Sequence, residues 1–222
     1  MTRPPVAVFD LDGTLVDTAP DLLAALNEAL ASENLALAGT EQARKAIGHG
    51  ARAMIVRSLQ AQGVPEERDR IDRMHARFLE FYTANICARS LPFPGVEAAI
   101  ETLAARGVLC AVCTNKYESL AVELLDALGM TNRFAAIAGG DTFGVSKPDP
   151  QHLWKTIEAA GGGRAIMVGD SDADVGAAKA AGVPAVAVSF GYSQVPATQL
   201  GADAVIDHFD ELAALAERLL GL

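Results

Sequence analysis

Apolar positions along the chain cluster into short runs separated by longer amphipathic stretches. Val6 to Phe9, Val108 to Cys113, Ala135 to Ala138, Ala165 to Val168, Ala185 to Ser189 and Ala204 to Ile206 are predicted strands. Several lack polar alternation, which is the pattern of strands buried on both faces. Helical patterns fill the intervals. Asp149 before Pro150 reads as an N-cap followed by proline at the first helical position. Gly129, Gly161 and Gly182 stand where helices should stop. Strand and helix in alternation predict an α/β fold, a doubly wound and mainly parallel sheet covered on both faces.

One region breaks the alternation. From Thr18 to Ser90 only helical patterns occur. Leu22, Leu23, Leu26 and Leu30 share one face, Thr40 caps a second pattern interrupted at Gly48-His49-Gly50, and Glu66 to about Tyr82 forms a third. The expectation is a small all-helical domain at 17–90, inserted into a core made of 1–16 and 91–222.

Composition narrows the class. Half of the 222 residues are apolar and about a fifth charged, which excludes intrinsic disorder. No apolar run approaches a membrane span, and Val6 to Phe9 is too short for a secretory core, so a cytoplasmic protein without membrane association is expected. A net charge of -10 argues against nucleic acid as partner. It leaves room for a small anionic substrate, because a metal ion and one or two lysines invert the local field. Cys110-x-x-Cys113 lies inside a predicted buried strand and has no second pair, so it reads as core.

Four segments carry candidate chemistry, each at the C-terminal end of a predicted strand, where open parallel sheets bind ligands. The first is Asp10-Leu11-Asp12-Gly13-Thr14-Leu15-Val16-Asp17, with two carboxylates leaving the strand and a glycine for the turn. The second is Thr114-Asn115-Lys116 at a helix start, which suits either an N-cap or a phosphate. The third is Lys147, bracketed by Pro148 and Pro150 and so held on a defined loop. The fourth is Asp170-Ser171-Asp172-Ala173-Asp174. Helix capping explains one or two of its acids; a third needs another reason, and aspartate oxygens are hard ligands suited to Mg²⁺. If Asp10, Asp12, Asp170 and Asp174 converge, each close pair repels by roughly 4 kcal/mol at an effective dielectric of about 20. A few such pairs rival the stability of a domain, so convergence demands a cation beside Lys147.

In this order the four strings resemble the signature motifs of the haloacid dehalogenase superfamily, and the helical insert resembles its C1-type cap. Within the superfamily the chain is similar to bacterial phosphoglycolate phosphatases. That similarity rests on the continuation Thr18-Ala19-Pro20-Asp21-Leu22, on Ile47-Gly48-His49-Gly50, and on Gly139-Gly140-Asp141 through Lys147-Pro148-Asp149-Pro150. The resemblance implies a Mg²⁺-dependent phosphatase and a Rossmann-like sheet of order 5-4-1-2-3, with the strand near Ala204 to Ile206 added at an edge. It implies Asp10 as nucleophile forming an aspartyl-phosphate and Asp12 as general acid, then base. Thr114, Asn115 and Lys147 hold the phosphoryl group. Asp10, the Asp12 carbonyl and Asp170 bind Mg²⁺, with Asp174 beside them.

In the insert, Arg44, Lys45, His49 and Arg52 surround a glycine-flanked break. Either they form a solvated charged face, or His49 and Arg52 reach over the site and read the carboxylate of a small phosphate ester. His75, His152 and His208 are expected at the surface. The alternatives are a phosphatase for another small ester, a phosphomutase of the same superfamily, a dehalogenase, a phosphonate hydrolase and a non-catalytic binding module; Asp12 argues against the dehalogenase and the phosphonate hydrolase. A monomer or a homodimer is expected.

Overall fold

The computed structural model describes residues 3–44, 47, 48 and 50–222, with the backbone alone at 42 and 43. In chain order the elements are β1 (Val6–Phe9), β2 (Val16–Asp17), α1 (Ala19–Ser32), α2 (Thr40–Arg44), α3 (Ala51–Ala61), α4 (Arg68–Ala84), β3 (Leu91–Pro92), α5 (Val96–Ala105) and β4 (Leu109–Cys113). They continue as α6 (Glu118–Ala127), β5 (Ala136–Ala138), α7 (Pro150–Ala159), β6 (Ala165–Gly169), α8 (Asp172–Ala181), β7 (Ala185–Val188), β8 (Ala204–Ile206) and α9 (Leu212–Leu220). Six strands form one parallel sheet in the order β5-β4-β1-β6-β7-β8. This is the predicted 5-4-1-2-3 arrangement with the last strand added at the edge.

Register explains why distant loops meet. Phe9 pairs with Val112 of β4 on one side and with Val168 of β6 on the other. The residues that leave the sheet beyond these pairs therefore emerge side by side: Asp10, Thr114 and Asp170. Alternate residues of β1 face opposite layers. Ala7 and Phe9 join an apolar cluster with α5, α6 and α9, while Val6 and Val8 join another with α7 and α8. A third cluster is built by α1, α3 and α4 and reaches Leu120 and Tyr192 of the sheet layer. The two chain crossings between the sheet layer and α1–α4 pair with each other as the antiparallel ribbon β2–β3. Asp21, buried on α1, ties down the return crossing by accepting from the backbone N–H groups of Arg89 and Ser90 and from the Ser90 hydroxyl. No helix among the described residues is long and apolar enough to cross a membrane.

Cys110 and Cys113 are buried on β4. An odd separation on a strand sends them to opposite faces, and they sit in different clusters. Both thiols are free, and burial pushes them up to about 12 and about 11.

His208 is half exposed, as expected of a surface residue, but His152 is not. It is fully buried on the stripe of α7 that carries Leu153, Thr156 and Ile157. A helix packed on the sheet buries whatever occupies that stripe. Burial, reinforced by the charge of Lys147, brings its pKa down to about 4. The unfolded chain takes up this proton near pH 6.5 and the folded chain only near 4, so the stability present above 6.5 drains as pH falls through that window. His152→Leu removes the effect. In urea titrations the wild-type-minus-variant stability should drop by roughly 3 kcal/mol between pH 6.5 and 4; parallel curves would exclude a neutral buried imidazole.

Candidate active site

Asp10 follows the last residue of β1 and is buried. Its Oδ1 accepts from Lys147 Nζ at 2.7 Å, and the same ammonium donates to Asp174 Oδ1 at 2.6 Å. Lys147 is carried by the loop that enters α7, where the Asp149 side chain accepts from Gln151 N as the predicted N-cap. Asn115 fastens that loop. Its Oδ1 accepts from Lys147 N, and its Nδ2 donates to the carbonyls of Lys147 and Gly48. The Asn115 side chain is thus engaged in holding the Lys147 backbone and in touching the helical layer. Thr114 is buried beside it, and its hydroxyl accepts from Lys116 N.

Asp170 is fixed from two directions. Its Oδ1 accepts from the Thr14 hydroxyl at 3.3 Å, and its Oδ2 from Tyr192 N at 2.6 Å. Both neighbours approach through glycines. A Cβ on Gly191 would lie 2.2 Å from Asp170 Cβ, and one on Gly13, which has φ +88°, would lie 2.6 Å from Asp170 Oδ2. Asp174 has both oxygens in use. Oδ1 takes Lys147, and Oδ2 takes the N–H groups of Asp170 and Ser171 and the Ser171 hydroxyl. Capping of α8 by Ser171 and Asp174 therefore accounts for one acid of this segment and leaves Asp170 for something else.

Asp10, Asp170 and Asp174 each offer an oxygen, and these oxygens lie within 4.8 Å of one another. Burial, opposed by Lys147 and reinforced by Asp174, raises Asp10 to about 7. Burial and the Asp174 and Asp10 charges raise Asp170 well above the usual carboxylate range. Burial works against the charge on Lys147, yet Asp10 and Asp174 outweigh it and hold the lysine above its ordinary value. One lysine against three clustered acids leaves a net anionic seat of hard oxygen donors, which fits a divalent cation such as Mg²⁺.

Asp12 points to the other side of the opening. Both its carboxylate oxygens accept from Lys116 Nζ, at 2.9 and 3.1 Å. Lys116 lies 4.6 Å above the ring centroid of Tyr82 on α4. A cavity of about 270 Å³ joins these groups, with Asp10, Asp12, Thr114 and Lys147 on its floor and Gly48, Arg52, His75 and Tyr82 of the helical layer above. Arg52 lines this cavity, with its guanidinium on Asp72. His49 lies outside the described residues. His75, expected at the surface, lines the cavity edge-on to Tyr117, because α4 turns that face towards the sheet layer.

The structure thus brings together Asp10, Asp12, Thr114, Asn115, Lys147, Asp170 and Asp174; Lys116, Tyr82, Thr14 and Tyr192, to which the sequence assigns no role, touch the same groups. Lys116 stood two residues past Thr114. Tyr192 follows β7, so the rule that ligands gather at strand C-termini pointed there as well.

The haloacid dehalogenase-like hydrolase family model matches residues 7–188. The phosphoglycolate phosphatase of Mesorhizobium japonicum is 51% identical, over 99% of this chain and 98% of its own. That of Agrobacterium fabrum is 47% identical, over 97% and 94%. The crystal structure of a predicted phosphoglycolate phosphatase from Haemophilus somnus superposes with a TM-score of 0.88 at 30% identity, over 95% of this chain and 97% of its own. Fold, site and these similarities agree: the chain belongs to the haloacid dehalogenase-like hydrolase family.

Proposed function

We propose that this protein is a phosphoric monoester hydrolase that cleaves 2-phosphoglycolate through an aspartyl-phosphate formed on Asp10. The observation that carries the reading is the convergence of Asp10, Lys147, Asp170 and Asp174, of which Asp10 and Lys147 line the cavity. Such an array serves phosphoryl transfer, where positioning and charge neutralisation supply most of the catalysis. The choice of ester draws on the two relatives at 51% and 47% identity.

Asp10 is the proposed nucleophile, because an oxygen at the end of β1 faces the cavity and a carboxylate attacks phosphorus to give a hydrolysable acyl phosphate. Lys147 and Thr114 orient the phosphoryl oxygens. Asp12 donates a proton to the leaving alkoxide, then takes one from the attacking water. Asp10, Asp170 and the Asp12 carbonyl would hold Mg²⁺, with Asp174 steering Lys147 and the 170–171 backbone. When bound, the ion supplies charge neutralisation on the phosphoryl oxygens. The boundary of the mobile part is proposed at the β2–β3 ribbon, dividing a cap at 17–90 from a core at 1–16 and 91–222. Closure of that cap brings Arg52 to the rim and excludes water.

The test is inorganic phosphate release from 2-phosphoglycolate, ethyl phosphate, glucose 1-phosphate and AMP, with Mg²⁺ and with chelator. Phosphoglycolate should be the preferred ester, and chelation should abolish turnover. Mg²⁺ should raise the melting temperature of the wild type and not of Asp170→Asn. Full activity in chelator would overturn the metal assignment. Interconversion of sugar phosphates that depends on a sugar bisphosphate and releases no inorganic phosphate would make the enzyme a mutase.

A further inference from the structure

A phosphate ester that carries a carboxylate needs a second anionic seat beyond the phosphoryl group. The cations around the cavity differ in availability. Lys147 is committed to Asp10 and Asp174. Arg52 is half exposed and paired with Asp72. His75 is pushed towards its neutral form by burial and by the Arg52 charge. Among the described residues Lys116 remains, with a side chain only 5% exposed on the cavity wall.

Its partner is Asp12, the proposed general acid and base. Both oxygens of Asp12 accept from the one ammonium. If Asp12 serves the ester oxygen, that arrangement must open, and Lys116 is then left as a buried cation without its carboxylate. Such a charge demands a replacement anion. A second group stands beside it. The Tyr82 hydroxyl is buried on the same wall against the Lys116 ammonium, which can only donate, so the phenol's own O–H has no acceptor. Unsatisfied buried donors are uncommon in folded proteins, and one on a cavity wall next to a lysine marks a polar ligand.

We propose that Lys116 and the Tyr82 hydroxyl form the seat for the substrate carboxylate, and that Lys116 moves from Asp12 to this carboxylate when the ester binds. The inference rests on the phosphatase reading above and deepens it. Because the seat adjoins Asp12, it suits an anion on the carbon next to the ester oxygen. Because Tyr82 belongs to α4 and Lys116 to the sheet layer, the seat is complete only with the two layers together. A carboxylated ester thereby frees Asp12 for proton transfer, and an ester without a carboxylate does not.

The experiment compares kcat/KM for 2-phosphoglycolate and ethyl phosphate in the wild type, Tyr82→Phe and Lys116→Met. Tyr82→Phe keeps the ring that stacks on Phe78 and removes only the hydroxyl. The preference for phosphoglycolate should fall about 10-fold in Tyr82→Phe and further in Lys116→Met, as expected for losing a hydrogen bond to a charged group. Competitive inhibition by glycolate should weaken in both variants. Equal losses on both esters, with glycolate inhibition intact, would overturn the seat while leaving the phosphatase reading in place. A wild type that hydrolyses both esters without preference would overturn the substrate assignment and the seat with it.

Discussion

Asp10→Asn should yield a folded protein whose ester hydrolysis is reduced by at least about 10⁴-fold, because the amide cannot form the acyl phosphate through which turnover is proposed to run. Folding should survive. The side chain is nearly isosteric, and Lys147 keeps Asp174 as partner. In the absence of metal the variant should be more stable than the wild type, and the sign follows from the site. Burial raises Asp10 to about 7, so the folded state holds that proton where the unfolded chain has released it. Wild-type stability therefore falls as pH rises from about 4 to 7, and the advantage of the variant grows through the same window. Above pH 7 it should level at a few kcal/mol, roughly. Circular dichroism checks the fold, denaturant titration at pH 4 and pH 8 in chelator checks the stability, and phosphate release checks the chemistry. Substantial turnover by the variant would falsify the assignment of Asp10 as nucleophile.

The distribution of what could be read in advance has a physical basis. Strands buried on both faces leave continuous apolar runs, so all six sheet strands were placed to within a residue or so, and their C-termini led to the acids and to Lys147. Local grammar also sufficed for Asp149 and for Gly182, which acts on α8 as a left-handed stop. Pairings made across the fold leave no such trace. Lys116 and Asp12 are 104 positions apart, and the Tyr192 hydroxyl meets the Asp17 carboxylate and Ala19 N across more than 170. The two-residue strands β2 and β3 are too short for periodicity and form only because the crossings lie against each other. His152 departs from the surface expectation for the same reason: its burial is decided by the sheet beneath α7. The proposed carboxylate seat belongs to this less legible part, since Tyr82 and Lys116 face each other only once the helical layer rests on the sheet layer.

Lys147→Met should be the most damaging single change to the folded protein without metal. Its ammonium is the cation that bridges Asp10 and Asp174, whose oxygens also lie within 4.8 Å of one on Asp170. Methionine fills much of the same volume, so lost packing contributes little, and the cost is that of leaving buried carboxylates uncompensated. Breaking a buried ion pair from one side costs about 3–5 kcal/mol. This size allows a control for simple misfolding. If charge imbalance is the cause, removing one of the acids should restore stability, so Lys147→Met with Asp174→Asn should be more stable than Lys147→Met alone. Mg²⁺ should also raise the melting temperature of Lys147→Met by more than that of the wild type, because a divalent cation replaces the missing charge by mass action. Neither the double variant nor Mg²⁺ should restore turnover, which should stay down by about 10²–10³-fold for want of a donor to the transferring phosphoryl oxygens. Calorimetry with and without Mg²⁺ and phosphate release read all three outcomes. A double variant as unstable as the single one would mean that Lys147 supports the fold through its packing and not through its charge.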